Sequence, residues 1–215
     1  MASQTKSAGL GQSIARGGDT HWINPTRIYI SNNSYAAGVL TIGQETHWLR
    51  ARTFGFTIPA GATINGIRAQ IEKKAGDVDM MDESVKILRA GVVTGDEKKS
   101  GADWPLSDAY TTYGGSTDKW GKTWTVAQIN ATNFGVNIAA TLTAGEFPVS
   151  AFVDHIKITV YYTPPPPTLN TKINISDSFK EVTNIYIRDG TPGLDWKPVV
   201  KVQINIGDAW KTIFG

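Results

Sequence analysis

Three histidines, His21, His47 and His155, are the only imidazoles in the chain, and none stands at a spacing that brings a second metal ligand beside it. With no cysteine in the 215 residues, thiolate zinc sites, disulfide frameworks and thiol nucleophiles are excluded together. The three histidines therefore read as surface or locally hydrogen-bonded groups. Glycines are plentiful but sit in turn-like contexts. There is no phosphate-cradling loop, no dinucleotide fingerprint behind a strand and no strained Gly-x-Ser-x-Gly elbow. The carboxylates are scattered among turns and do not form a facing pair of the kind that glycoside hydrolysis needs. The residues predict no enzyme and no cofactor.

Two acidic features and one aromatic cluster remain. Asp77-Val78-Asp79-Met80-Met81-Asp82-Glu83 offers hard oxygen ligands of the type calcium prefers, but it lacks the glycine and distal glutamate of an EF-hand loop. It reads as a solvated loop between two strands, with no metal. Asp154 interrupts an otherwise apolar strand face, where a carboxylate is tolerated only if hydrogen-bonded or paired. Pinning of a nearby turn is the expected role. Trp104, Tyr110, Tyr113, Trp120 and Trp124 crowd a segment rich in Gly, Ser, Thr and Asp. Large rigid rings beside polar groups suit either a sugar-stacking platform or a protein interface, and they suit core or loop packing equally. Trp196 and Trp210, nearer the end of the chain, read as core residues of a smaller module whose neighbouring Lys197 and Lys211 could solvate an exposed rim.

The elements that must position these residues are strands. Ile67, Ala69 and Ile71 alternate with Arg68, Gln70 and Glu72, and Val85 and Ile87 alternate with Lys86 and Leu88. Phe152, Ile156, Ile158, Val160 and Tyr162 lie on one face of a long strand, opposite His155, Lys157 and Thr159. Arg27–Ile30 and Thr53–Ile58 read as shorter strands, the second leading into a Pro59-Ala60-Gly61-Ala62 turn. Only Val126–Asn133 suggests a short helix. Residues 1–18 are rich in Ser, Gly, Gln and Ala, with few large apolar side chains, and read as a flexible arm able to order on a neighbour.

Pro164 to Pro167 divides the sequence. Consecutive prolines fix φ and cannot donate to a ladder, so the run reads as a semi-rigid spacer. Beyond it, Ile-x-Ile, a polar turn and aromatic-Lys-x-Val/Ile recur three times: Ile173 to Val182, Ile185 to Val199 and Ile204 to Ile213. A bend is expected after each repeat lysine. The organisation predicted is a flexible arm at 1–21, a β-sandwich at 22–162, a Pro-rich linker at 163–168 and a small three-repeat β domain at 169–215. The fold class is all-β, a jelly-roll-like β-sandwich followed by three hairpin-like repeats.

Charge is balanced, with 15 basic against 14 acidic residues in 1–163 and 6 against 5 in 164–215, for a net charge of +2. No basic stripe points to nucleic acid. No apolar run approaches the roughly 20 residues of a membrane helix, and no hydrophobic leader core is visible, so neither membrane insertion nor conventional secretion is expected.

The strings Phe54-Gly55-Phe56-Thr57-Ile58-Pro59-Ala60-Gly61-Ala62-Thr63-Ile64-Asn65-Gly66-Ile67, Tyr113-Gly114-Gly115 with Asp118-Lys119-Trp120-Gly121, Phe134-Gly135-Val136 and Val153–Tyr162 together resemble a β-rich module of tailed-bacteriophage structural proteins, over residues 22–162. The end of the chain is similar to the small Trp-Lys repeat modules appended to phage tail and virion proteins. The resemblance implies a non-enzymatic virion component, in capsid decoration, tail or fibre, assembled in the host cytoplasm. Its partners would be major capsid or tail proteins and further copies of itself, in a trimer by analogy, with neither nucleic acid nor membrane. A carbohydrate- or receptor-binding module of a fibre, using a host surface glycan, is the alternative.

Overall fold

The computed structural model describes residues 1–17, 20–145, 147–166, 171–175, 178–182, 202–206 and 209–214. The chain divides into two compact units, Met1–Pro165 and Pro166–Gly215, and the division falls inside the proline run. The larger unit contains β1 (Ala2–Ser7), β2 (Leu10–Ile14), β3 (Ala36–Leu40), β4 (Trp48–Arg52), β5 (Thr63–Ala75), β6 (Met80–Arg89), β7 (Val92–Thr94), β8 (Ala109–Gly114), β9 (Gly135–Leu142) and β10 (Val149–Thr163). From β3 onward the chain passes back and forth between two antiparallel sheets, in the orders β3-β10-β5-β8 and β4-β9-β6-β7, except at the β6-β7 hairpin, which stays in one sheet. This interleaving of eight strands in two four-stranded sheets is the jelly-roll arrangement. The inward-facing side chains of both sheets form one apolar cluster, in which Leu49, Ile67, Ile71, Ile87, Val136, Ile138, Ile156 and Ile158 have no exposed surface.

The opening residues, expected to be a flexible arm, are built into both sheets. β1 pairs with the second half of β10 along the edge whose first half is taken by β3, and β2 pairs with β4. The strand side chains of β1 are polar and mostly exposed, so the attachment comes from backbone pairing and the composition did not announce it. The crossing between sheets is tight. A Cβ on Gly11 would sit 1.9 Å from the Pro25 carbonyl oxygen, so only glycine lets the chain pass there.

Three local expectations change. Arg27–Ile30 is not a strand: Pro25–Ile28 forms a 3-10 turn, for which Pro25 at the first turn supplies the fixed φ. Thr53–Ile58 pairs in neither sheet, and its path is broken by Thr53 at φ 62° and Gly55 at φ 68°. Ile58 instead exchanges backbone bonds with the Asn130 side chain, at 2.9 Å in each direction, while Phe54 and Phe56 pack on Phe134. Phe152 does not share a face with Ile156. A bulge between Val153 and His155 reverses the strand's phase, so Ala151 and Val153 face the core and Phe152 lies outside against Tyr35. The short helix does form, as α1 (Val126–Asn130). Thr125 caps it with a reciprocal Gln128 bond, the capping-box pattern.

In the smaller unit, β11 (Thr171–Ile175) pairs with β12 (Ser178–Val182), and β13 (Val202–Ile206) with β14 (Ala209–Phe214), so the first and third repeats each form an antiparallel hairpin. β12 continues past Lys180 with no register shift, so the expected bend is absent there. Most of the second repeat, with Trp196, lies outside the described residues. Trp210 stands in β14, opposite Asn205.

Candidate functional site

The aromatic segment is not an exposed platform. Trp104 and Tyr113 are buried at 2% and 3% exposure, and Trp120 is fully buried. Trp124 and Tyr110 keep some surface, but Trp124 packs edge-on against Phe134 and donates from Nε1 to the Lys119 carbonyl, while Lys157 Nζ lies 4.0 Å over the Tyr110 ring. No pair among the five presents an open ring face side by side.

Trp104 and Tyr113 instead enclose a buried ionic knot. A bulge at Glu83 turns Asp82 and Val85 to the same inner face of β6. Asp82 accepts from four donors: Lys73 Nζ and Trp104 Nε1 at Oδ1, and Tyr113 Oη and the Ser100 amide at Oδ2, the last three at 2.8, 2.8 and 2.9 Å. Lys73 also donates to Tyr113 Oη at 2.7 Å and sits 4.4 Å over the Trp104 ring. Burial lowers the Lys73 pKa to about 8 against the pull of Asp82. Burial and the Asp82 charge both raise that of Tyr113, which therefore stays a donor. The knot joins β5 and β8 of one sheet to β6 of the other and seats the loop 95–108. Every hydrogen-bonding site on the carboxylate is filled from within, so its geometry is that of a structural tie. The acidic segment, expected as a solvated loop, is one only over Asp77 to Asp79, because Met80 to Glu83 belong to β6 with Met80 and Asp82 buried; Asp77 accepts from the Val78 amide, and Glu83 lies within 3.6 Å of Arg16.

Asp154 does pin a turn. Its carboxylate accepts from the amides of Asn32, Asn33 and Ser34 at 3.0, 2.9 and 3.2 Å, holding Asn33 at φ 58°. Asp154→Ala removes a charged acceptor from three amides and is expected to lower stability by about 2 kcal/mol, with faster amide exchange confined to 31–35. Unchanged exchange at those amides would contradict the assignment.

His155, beside that bulge, bridges Tyr110 Oη at Nδ1 (2.7 Å) and Ser7 Oγ at Nε2 (2.8 Å). Burial, then the nearby Lys157, lowers its pKa and keeps the ring neutral. A hydroxyl beside a neutral imidazole resembles part of a nucleophilic dyad, but it lies on an open sheet face. What it visibly does is fasten β1 across β10 to β8. His21 is exposed, and His47 approaches Ser13 Oγ at 3.4 Å.

What the sequence did not single out is one end of the sandwich. Four connections meet there: 41–47, 76–79, 95–108 and 143–148. They are braced by backbone bonds Gly43 N to Leu142 O (2.9 Å), Thr143 N to Asp79 O (3.0 Å), Gly76 N to Ser150 O (2.8 Å) and Ala75 N to Pro105 O (2.9 Å). Each connection carries an exposed large apolar side chain: Ile42 at 59%, Val78 at 52%, Leu106 at 59% and Phe147 at 77%. Val78, Phe147, Pro148 and Phe152 border a depression of about 310 Å³ whose rim holds Asp77 and Asp79. β10 runs from this end for 15 residues, about 50 Å, and delivers the chain to Pro164 at the other.

No family model and no curated protein matches the chain. Among solved structures it is similar to the CBM36-1 domain of a multidomain xylanase from the hindgut metagenome of Trinervitermes trinervoides, at 15% identity over 73% of this chain and 96% of that one, with a TM-score of 0.32. The sandwich assignment rests on the strand pairing itself: an all-β unit of two antiparallel sheets in jelly-roll order.

Proposed function

We propose that the protein is a non-enzymatic structural component of a tailed-bacteriophage virion that works by protein–protein contact. The observation that carries this reading is the braced apolar end of the sandwich, with one exposed large hydrophobic side chain on each of four connections. Preorganised apolar loops gain affinity because little order is lost on docking. The occupant suggested by the depression and its Asp77 and Asp79 rim is an apolar side chain flanked by basic residues on a neighbouring capsid or tail protein. The connector leaves from the opposite end, which suits a module that docks by one end and is tethered by the other. The resemblance of residues 22–162 to phage structural modules supplies the biological setting, and the four donors that fill the Asp82 carboxylate from within support a structural role for that buried group.

Val78→Ser with Phe147→Ser tests the docking end. Both side chains are exposed, so thermal stability should hold, while affinity for the particle falls by about tenfold, the equivalent of 1.4 kcal/mol of contact, read as lower occupancy at sub-saturating protein. Unchanged occupancy would overturn the proposal.

A further inference from the structure

The outer face of the β2-β4-β9-β6-β7 sheet carries charge that the fold does not use. Asn137 stands midway between Arg50 on β4 and Lys86 on β6, its register partners on either side. At normal strand spacing the three form one row about 10 Å across. Arg52 lies two residues along β4 on the same face, donating to Gln12 Oε1 at 3.0 Å. Among the described residues, Arg50, Arg52 and Lys86 have no carboxylate within ion-pair distance, as is true of several other cations; what sets these three apart is that they stand together on one sheet face.

Asn137 supplies the second, independent sign. It is fully buried, and its Oδ1 accepts from Arg50 Nε at 3.2 Å, which fixes the amide orientation and leaves Nδ2 as the donor edge. That Nδ2 has no hydrogen-bond partner. A buried, unmatched N–H is costly to keep, and here it lies between two cations with no facing anion. Next to the row opens a cleft of about 440 Å³, lined by Arg16, Trp48, Glu83, Lys86, Glu97 and Lys99 among others.

We propose that this face binds an acidic polysaccharide, a carboxylate or sulfate lodging between Arg50 and Lys86 over Asn137 while the adjoining sugar lies in the cleft beside Trp48. The mixed lining favours a sugar over a nucleic acid. Glu97 is taken up by the Val85, Lys98 and Lys99 amides and by Ser84 Oγ, so Glu83 is the lining carboxylate that can accept from the hydroxyls of the adjoining sugar. A single carboxylate or sulfate needs only the cation pair beside Asn137, whereas a phosphodiester chain needs a longer run of cations than Arg50, Arg52 and Lys86 provide. Arginine and the amide together present the planar donors that a carboxylate or sulfate accepts.

Calorimetric titration of the full chain with polygalacturonate, heparin, dextran and single-stranded oligodeoxythymidine tests this. Binding is expected to polygalacturonate or heparin, the preferred one telling carboxylate from sulfate, and not to dextran. Arg50→Gln with Lys86→Gln should weaken it by about tenfold, the size of effect that charge-assisted contacts carry. Asn137→Leu should weaken it as well while keeping or raising the melting temperature, which a merely structural asparagine would not do. Val78→Ser with Phe147→Ser should leave it unchanged, so its outcome is separable from that of the docking end. Equal behaviour towards dextran, tighter binding of the oligonucleotide, or full binding by the Arg50 and Lys86 variant would each overturn the proposal.

Discussion

Replacing Asp82 by alanine is expected to destabilise the sandwich by about 3–5 kcal/mol, read as a shift in urea unfolding of the full chain. The residue has no exposed side-chain surface, and its four donors come from β5, β8 and the loop 95–108. Truncation leaves Lys73 buried without its counter-ion, so that burial drives its ammonium toward the neutral amine at a cost in stability, and leaves the Trp104 and Tyr113 donors facing a small void. The reciprocal change should be milder. Lys73→Met removes the charge that burial already disfavours, and Asp82 retains the three donors from Trp104, Tyr113 and Ser100. An Asp82→Ala loss below about 1 kcal/mol would mean that the knot does not hold the two sheets together.

Trp120→Ala is expected to destabilise by a similar amount, about 3–5 kcal/mol, because a fully buried indole leaves a large cavity. The surrounding backbone is shaped to it. Trp120 itself has φ 56°, its Nε1 donates to the Ile67 carbonyl at 3.0 Å, and the Asp118 side chain accepts from its amide at 2.7 Å. Gly114, at φ 71°, sits where a Cβ would meet Trp120 Nε1 at 2.7 Å and the Ile67 carbonyl at 2.4 Å. Lys98 reaches Asp118 at 2.8 Å, so the loss should spread to the loop 95–108 and raise its susceptibility to limited proteolysis. A Trp120→Ala protein with unchanged stability would contradict this placement.

Much of the fold was legible because the alternating strands are long enough to show their period. β5, β6 and β10 declare themselves through Ile67, Ala69 and Ile71, through Val85 and Ile87, and through Ile156, Ile158 and Val160, and the helical stretch expected at Val126–Asn133 contains α1. Where the reading failed, a local device intervened. A bulge at Asp154 exchanged the faces of Phe152 and Val153, and Pro25 converted a β-favouring tetrapeptide into a turn. β1 escaped notice because a strand held at an edge by its backbone needs no apolar pattern. The aromatic cluster misled for a related reason. Trp104, Tyr113 and Trp120 sit among polar residues in sequence, yet their N–H and O–H groups find partners far along the chain, Asp82 for Trp104 and Tyr113 and the Ile67 carbonyl for Trp120, and those bonds let the rings be buried. The apolar end was invisible because Ile42, Val78, Leu106 and Phe147 are isolated in sequence and are carried to one end of the sandwich only by the topology. The row of Arg50, Asn137 and Lys86 likewise spans three strands.

The apolar end and the tether opposite it make one structural demand, and direct imaging of purified particles addresses it. The account predicts density for the sandwich on the particle with the loops bearing Ile42, Val78, Leu106 and Phe147 buried against a neighbouring protein, and with Pro164 at the end away from that contact. Absence of the protein from the particle, or its presence with those loops turned to solvent, would contradict the account.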